Sequence, residues 1–221
     1  MSVITIQRKV LEKNDAIAQA NRALLARHGI FAVNLVSSPG AGKTALIEST
    51  LQHLAGRLRV AVVEGDVQTD LDAQRVARYQ VPVVQIVTNG ACHLEAQLVR
   101  DALSNLALDQ VDCLIVENVG NLVCPAGFDL GEAMKVAILS VTEGDDKPLK
   151  YPAMFQHAAV LVVSKVDLLP YVQCDLARLK ANALQVNPEL RIFETSCTTG
   201  AGIPEWSNWL ASASARPPRG A

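Results

Sequence analysis

The run Ser37-Ser38-Pro39-Gly40-Ala41-Gly42-Lys43-Thr44 carries the clearest chemistry in this chain. It follows an apolar stretch over 30–36 and precedes helix-forming Ala45, Leu46, Ile47 and Glu48. A strand, a glycine-containing loop ending in Gly-Lys-Thr, and a helix make a phosphate-binding P-loop. Gly40, Ala41 and Gly42 let the backbone close around an anion so that loop N–H groups point at a β-phosphate. The helix start near Gly42 and Ala45 adds its positive dipole end. Lys43 is placed to reach the β- and γ-phosphates, and the Thr44 hydroxyl to ligate Mg²⁺. The strict pattern has Gly where this chain has Ser37. A turn that binds nothing, or a Rossmann loop, accounts less well for Gly-Lys-Thr at this position.

Two carboxylates close apolar runs further on. Asp66 ends the second run and Glu117 a later one, so both are placed to converge on Mg²⁺ or the attacking water. The alternative for each is a polar residue that merely ends a strand. Gly120 offers its backbone N–H to a γ-phosphate, making 117–121 a candidate switch segment. Ser164-Lys165-Val166-Asp167 bears on the base. Guanine presents two adjacent donors that one carboxylate accepts together, so Asp167 selects guanine, with the Lys165 stem over the ring. Ser164 stands where Asn is usual. Ser196 and Cys197, with Thr198, fit a loop that offers N–H groups to the guanine oxygen.

Cys92, His93 and Cys124 form a second constellation, a soft ligand set suited to Ni²⁺ or Zn²⁺. The competing reading is a small cysteine beside an unrelated histidine, with another cysteine elsewhere by chance. Cys92 is expected just before a helix, whose dipole would favour the thiolate. Three ligands leave a tetrahedral site incomplete. Cys113 lies in an apolar run and reads as core.

The elements that must position these residues follow from periodicity. Strands are predicted over 30–36, 58–63, 83–88, 113–116, 135–141, 160–163 and 191–195. Helices are predicted after the P-loop, from Leu94, over 171–186 and over 206–210. Mostly apolar strands alternating with helices imply an α/β fold, a doubly wound and largely parallel sheet with ligands at the strand carboxyl ends. Residues 1–29 are read as an N-terminal amphipathic helix, with Val10, Ile17, Ala20, Leu24 and Leu25 as its apolar stripe. Residues 30–210 are read as one nucleotide-binding domain, and 211–221 as a disordered tail. A chain of 221 residues suffices for one large core. Its net charge of −2 shows no basic stripe for nucleic acid. No signal-peptide pattern or membrane-length apolar run is present, and five scattered cysteines fit a reduced, cytoplasmic setting.

Taken together, the P-loop, Glu64-Gly65-Asp66, Cys92-His93-Leu94, the run from Glu117 to Pro125 and Glu143-Gly144-Asp145-Asp146-Lys147-Pro148 resemble the hydrogenase nickel-incorporation GTPases, the HypB family. The resemblance spans about 31–202. It implies a P-loop GTPase fold of the SIMIBI type, GTP and GDP as ligands with Mg²⁺, and slow hydrolysis, since no Gln follows Gly120. It makes Ser37 the expected residue. It implies that Cys92, His93 and Cys124 bind Ni²⁺ (or Zn²⁺) across a homodimer interface. A nickel metallochaperone of the HypA family and a hydrogenase large-subunit precursor are the implied partners. Two departures stand out. Ser164 bears on guanine affinity, and no cysteine precedes Cys92, which argues against nickel storage by these residues. Urease-maturation GTPases match less well, placing a proline between Cys and His. A kinase reading lacks an Arg-rich lid.

Overall fold

In the computed structural model, described for residues 6–68 and 71–215, the chain opens with helix α1 (Ile6–His28). There follow β1 (Phe31–Ser37), α2 (Lys43–Leu54), β2 (Val60–Asp66), α3 (Leu71–Ala77), β3 (Val83–Val87), α4 (Ala96–Leu103) and β4 (Cys113–Glu117). Then come β5 (Met134–Ser140), α5 (Lys147–Lys150), α6 (Pro152–His157), β6 (Ala158–Ser164), α7 (Leu176–Val186), β7 (Arg191–Glu194) and α8 (Ile203–Ala213). The seven strands form one sheet in the order β3-β2-β4-β1-β5-β6-β7. Every pairing is parallel. This is the doubly wound sheet expected of strands such as β1 and β4, buried on both faces. One face packs on α2, α3 and α8 through Leu46, Leu51, Val76 and Trp206. The other face carries α1 and α4 over β2 and β4, and α6 and α7 over β5 and β6. Ser37, Asp66, Glu117 and Ser164 all lie at carboxyl ends of strands, on one edge of the sheet.

Helix α1 packs on α4 and the 129–132 turn, but its buried line differs from the expected stripe. Asn14, Ala18, Asn21 and Leu25 are buried, whereas Ala20 is exposed and Ile17 and Leu24 are half-buried. The asparagines are buried because backbone groups meet them. Asn14 donates to Asp129 O (2.7 Å) and accepts from Ala96 N (2.8 Å). Asn21 donates to Ala96 O (2.8 Å) and Leu130 O (3.0 Å). Gly131 (φ 93°) lets α1 approach, since a Cβ there would lie 2.6 Å from Ala18 O.

Three expectations need correction. The helix expected over 171–186 begins only at Leu176, where the Asp175 side chain accepts from Arg178 N; a 3₁₀ turn occupies Val166–Tyr171. The helix expected from Leu94 begins at Ala96, because the Asn118 side chain captures Leu94 N (3.1 Å). The tail expected from 211 is helical to Ala213, with Ser214 buried and its hydroxyl on Leu210 O (2.8 Å). Residues 216–221 lie outside the described residues. Among the described residues, no helix is long and apolar enough to cross a membrane.

Candidate functional site

β1 ends in the middle of the sheet and delivers its carboxyl end into the P-loop. Gly40 (φ 73°) and Gly42 (φ 100°) take left-handed conformations that favour glycine. Gly42 stands at the N-cap of α2 without a side-chain cap, which leaves the first helical N–H groups for an anion. Lys43 is only 8% exposed; its Nζ donates to Ser37 Oγ (3.0 Å) and lies 4.0 Å from Glu117 Oε1. Ser37, the departure from the strict motif, is therefore the residue that receives the P-loop lysine. Thr44 Oγ1 donates to Glu117 Oε1 (3.1 Å).

Gly40, Gly42, Lys43, Thr44 and Glu117 line a cleft of about 470 Å³ with Asp66, Asp72, Gly120 and Lys165. Parallel pairing sets Glu64 directly beside Glu117. Glu64 is the site residue that the sequence reading missed. Its signal was its offset of two from Asp66, which places both on one face of β2. Burial, and then the facing Glu117 carboxylate, push Glu64 up to about 10. Burial also raises Glu117, opposed by the charge of Lys43 and by hydrogen bonds from its neighbours. Gly120 packs against the P-loop so closely that a Cβ there would sit 2.9 Å from Pro39 Cα. The sensor expected from sequence thus lies against the phosphate loop.

Base-recognition candidates sit beside this cleft. Ser164 Oγ donates to Ala41 O (2.6 Å) and Lys165 Nζ to Gly40 O (2.7 Å), tying β6 to the P-loop. Lys165 is itself left-handed (φ 59°). Asp167 lies in the next 3₁₀ turn, and Val166 N donates to Thr195 O (3.1 Å), aligning that turn with the loop of Ser196 and Cys197. Asp167, Ser196 and Cys197 are not among the lining of the phosphate cleft. Ser196 is buried and shapes its loop by accepting from Thr199 N (3.1 Å), while Cys197 is exposed.

Cys92, His93 and Cys124 do come together. One ligand atom from each lies within 4.8 Å of the others. The Cys92 and Cys124 sulfurs are 2.8 Å apart as free thiols, and Cys92 Sγ lies 3.7 Å from His93 Nδ1. The His93 ring packs on Phe128, with ring centroids 4.0 Å apart. Its Nε2 is buried without a hydrogen-bond partner, and burial lowers its pKa, favouring the neutral ring. The helix-dipole expectation for Cys92 does not hold, because α4 starts four residues later. The adjacent Cys124 thiol, more than burial, raises the Cys92 pKa instead. The second thiol arrives on the loop that continues from Gly120.

The sheet, the phosphate loop and the acidic strand ends define a P-loop nucleotide-binding protein. The family model "CobW/HypB/UreG, nucleotide-binding domain" matches residues 31–194. The "Hydrogenase maturation factor HypB" of Escherichia coli (strain K12) is 50% identical over 208 residues, covering 94% of this chain and 72% of that protein. Among solved structures, HypB from Helicobacter pylori in complex with nickel superposes with a TM-score of 0.88 at 37% identity, covering 95% of this chain and all of that one. The hydrogenase maturation factor HypB from Archaeoglobus fulgidus gives 0.87 at 38% identity, covering 92% of this chain and all of that one. The chain belongs to the HypB family of hydrogenase maturation factors.

Proposed function

We propose that this protein is a GTP-driven switch that delivers nickel during maturation of a hydrogenase large subunit. The observation that carries the reading is the short path from one site to the other. Gly120 packs on Pro39 of the P-loop, and four residues later Cys124 meets Cys92. In this reading the cleft takes GTP through Gly40, Ala41, Gly42, Lys43, Thr44 and Ala45. Asp167 and Lys165 recognise guanine, with Ser196 and Cys197 at its oxygen. Lys43 stabilises charge that develops on the transferred phosphoryl group, and Gly120 N–H reports the γ-phosphate.

The residues fit Mg²⁺. Thr44, Glu117 and Asp66 offer a hard oxygen set, and Glu64 Oε1 and Glu117 Oε2 are buried without hydrogen-bond partners. When bound, the ion would neutralise charge on the β- and γ-phosphates. The Glu117 carboxylate holds the Thr44 hydroxyl in place for it. Hydrolysis is slow because no glutamine follows Gly120 to orient water.

Nickel is the cargo, taken by Cys92, His93 and Cys124. These three leave an open coordination position that a second copy in a GTP-dependent homodimer would close or shield. Loss of the γ-phosphate displaces the segment bearing Cys124 and loosens the metal, so a hydrogenase precursor, with a nickel metallochaperone of the HypA family, exchanges with the loosened site. Reciprocally, nickel alters nucleotide affinity. Titrating Ni²⁺ into the GDP and GTP-analogue forms tests this; equal affinities would remove the coupling. A second reading makes GTP only a dimerisation signal on a metal-carrying scaffold. It predicts equal nickel delivery with GTP and with a non-hydrolysable analogue.

A further inference from the structure

Between the nucleotide cleft, whose lining includes Asn118, and the thiol cluster runs a buried line of polar side chains. Asn118, 1% exposed, directly follows Glu117. Its Oδ1 accepts from Leu94 N (3.1 Å), the residue after His93, and from Val119 N (3.0 Å), the residue before Gly120. Its Nδ2 donates to Asn34 Oδ1 (3.2 Å) in the middle of β1. Asn34 Nδ2 in turn donates to Glu132 Oε1 (3.2 Å). Glu132 is anchored by Leu130 N (2.7 Å) and by Lys135 Nζ (3.2 Å) at the start of β5. One end of this line is thus fixed in the central sheet. The other end holds two loop amides, one beside each site.

We infer that Asn118 is the positioning residue that couples the two sites: its carboxamide ties the Cys92-His93 loop to the segment that senses the nucleotide. A chain of hydrogen bonds among buried side chains holds geometry sharply, so displacement of Val119 and Gly120 is passed to Leu94 rather than lost in slack. Asn118 borders the cleft beside Gly120 and acts through the backbone amides of Leu94 and Val119. The inference rests on the nucleotide–metal coupling proposed above.

The experiment measures Ni²⁺ affinity in the GDP and GTP-analogue states for the wild type, Asn118→Ala and a control, Asn187→Ala. Asn187 is likewise half-buried or better and bonds Phe155 O (3.0 Å) and Ala158 O (2.9 Å), remote from both sites. The wild-type ratio of affinities should be about tenfold, within the ordinary range for coupled sites. It should fall to within about twofold in Asn118→Ala and stay unchanged in Asn187→Ala. A ratio of one in the wild type removes the coupling itself and this inference with it. A wild-type ratio that survives in Asn118→Ala overturns the role of Asn118 alone, as does an equal collapse in the control. Should Asn118→Ala fail to fold, the wild-type amide resonance of Leu94 decides. It should shift between the two nucleotide states while that of Leu190 does not; an unmoved Leu94 amide overturns the inference.

Discussion

The phosphate cleft and the thiol–imidazole cluster are built in opposite ways. The cleft is made of ionisable groups that the fold has already buried: Lys43 is 8% exposed, Glu117 5% and Glu64 2%. Lys43 is held by Ser37 and Glu117 by Thr44. The cluster is made of neutral groups at the surface, with Cys92 exposed and only one ring nitrogen shut away. A buried charged site must be preorganised, because its components are costly to strand. An open three-ligand site can assemble and release a metal without unfolding anything. The proposed switch would thus set a tightly held nucleotide site beside a loosely held metal site.

The sharpest way to separate the two regions is Lys43→Ala. It should lower GTP hydrolysis by at least about a hundredfold, as expected for losing a preorganised charge at the phosphates. Ni²⁺ affinity without nucleotide should stay within about twofold, again measured by titration. A matching fall in nickel affinity would merge the two sites. Next in size, Asp167→Ala should weaken GDP binding by about ten- to a hundredfold while ATP binding barely changes, because charge-assisted hydrogen bonds to guanine are lost. Equal losses for both nucleotides would deny Asp167 its role in choosing the base.

From the other side, Cys124→Ala should lower Ni²⁺ affinity at least about tenfold and leave GDP affinity in metal-free protein unaltered. Ser164→Ala removes the buried bond to Ala41 O and should cost about 1 kcal/mol in thermal or denaturant unfolding. A weaker hold on GDP should accompany it, since the P-loop backbone loses a tether. The smallest effect is chemical. Burial pushes the Cys113 thiol up to about 12, so near pH 8 it stays protonated and unlabelled by a thiolate-selective alkylating agent in the native state. Exposed Cys92 is labelled slowly under the same conditions, and Ni²⁺ should protect it. Mass spectrometry of the labelled peptides distinguishes the two.

Much of the cleft was legible in the chain because its residues are contiguous or end apolar strands. The P-loop needs eight consecutive residues, and in a parallel sheet every strand's carboxyl end faces the same edge. Asp66, Glu117 and Lys165 could therefore be gathered without coordinates. Glu64 entered only as part of the Glu64-Gly65-Asp66 motif, with no role of its own, because its partner Glu117 is set by sheet register. The cluster was harder. Cys92 and Cys124 are separated by α4 and β4, and no spacing rule places their loops together; ligand chemistry suggested the set and resemblance strengthened it. Helix α1 was misread in detail for a related reason. Periodicity seeks apolar residues, and two of the four on its buried line are asparagines satisfied by backbone groups of a distant turn.

Local residue types by themselves determined the strand–loop–helix of the phosphate site and the alternation that makes a parallel sheet, and they supplied the expectation of guanine from Asp167. These follow from backbone conformation, hydrophobic period and hydrogen-bond complementarity, which act over a few residues at a time. Tertiary structure alone decided that Glu64 faces Glu117, that Ser164 grips Ala41, and that Asn118 stands between the nucleotide cleft and the thiols. Those contacts join residues up to 123 positions apart. They exist because sheet register and helix docking fix distances that no local rule encodes.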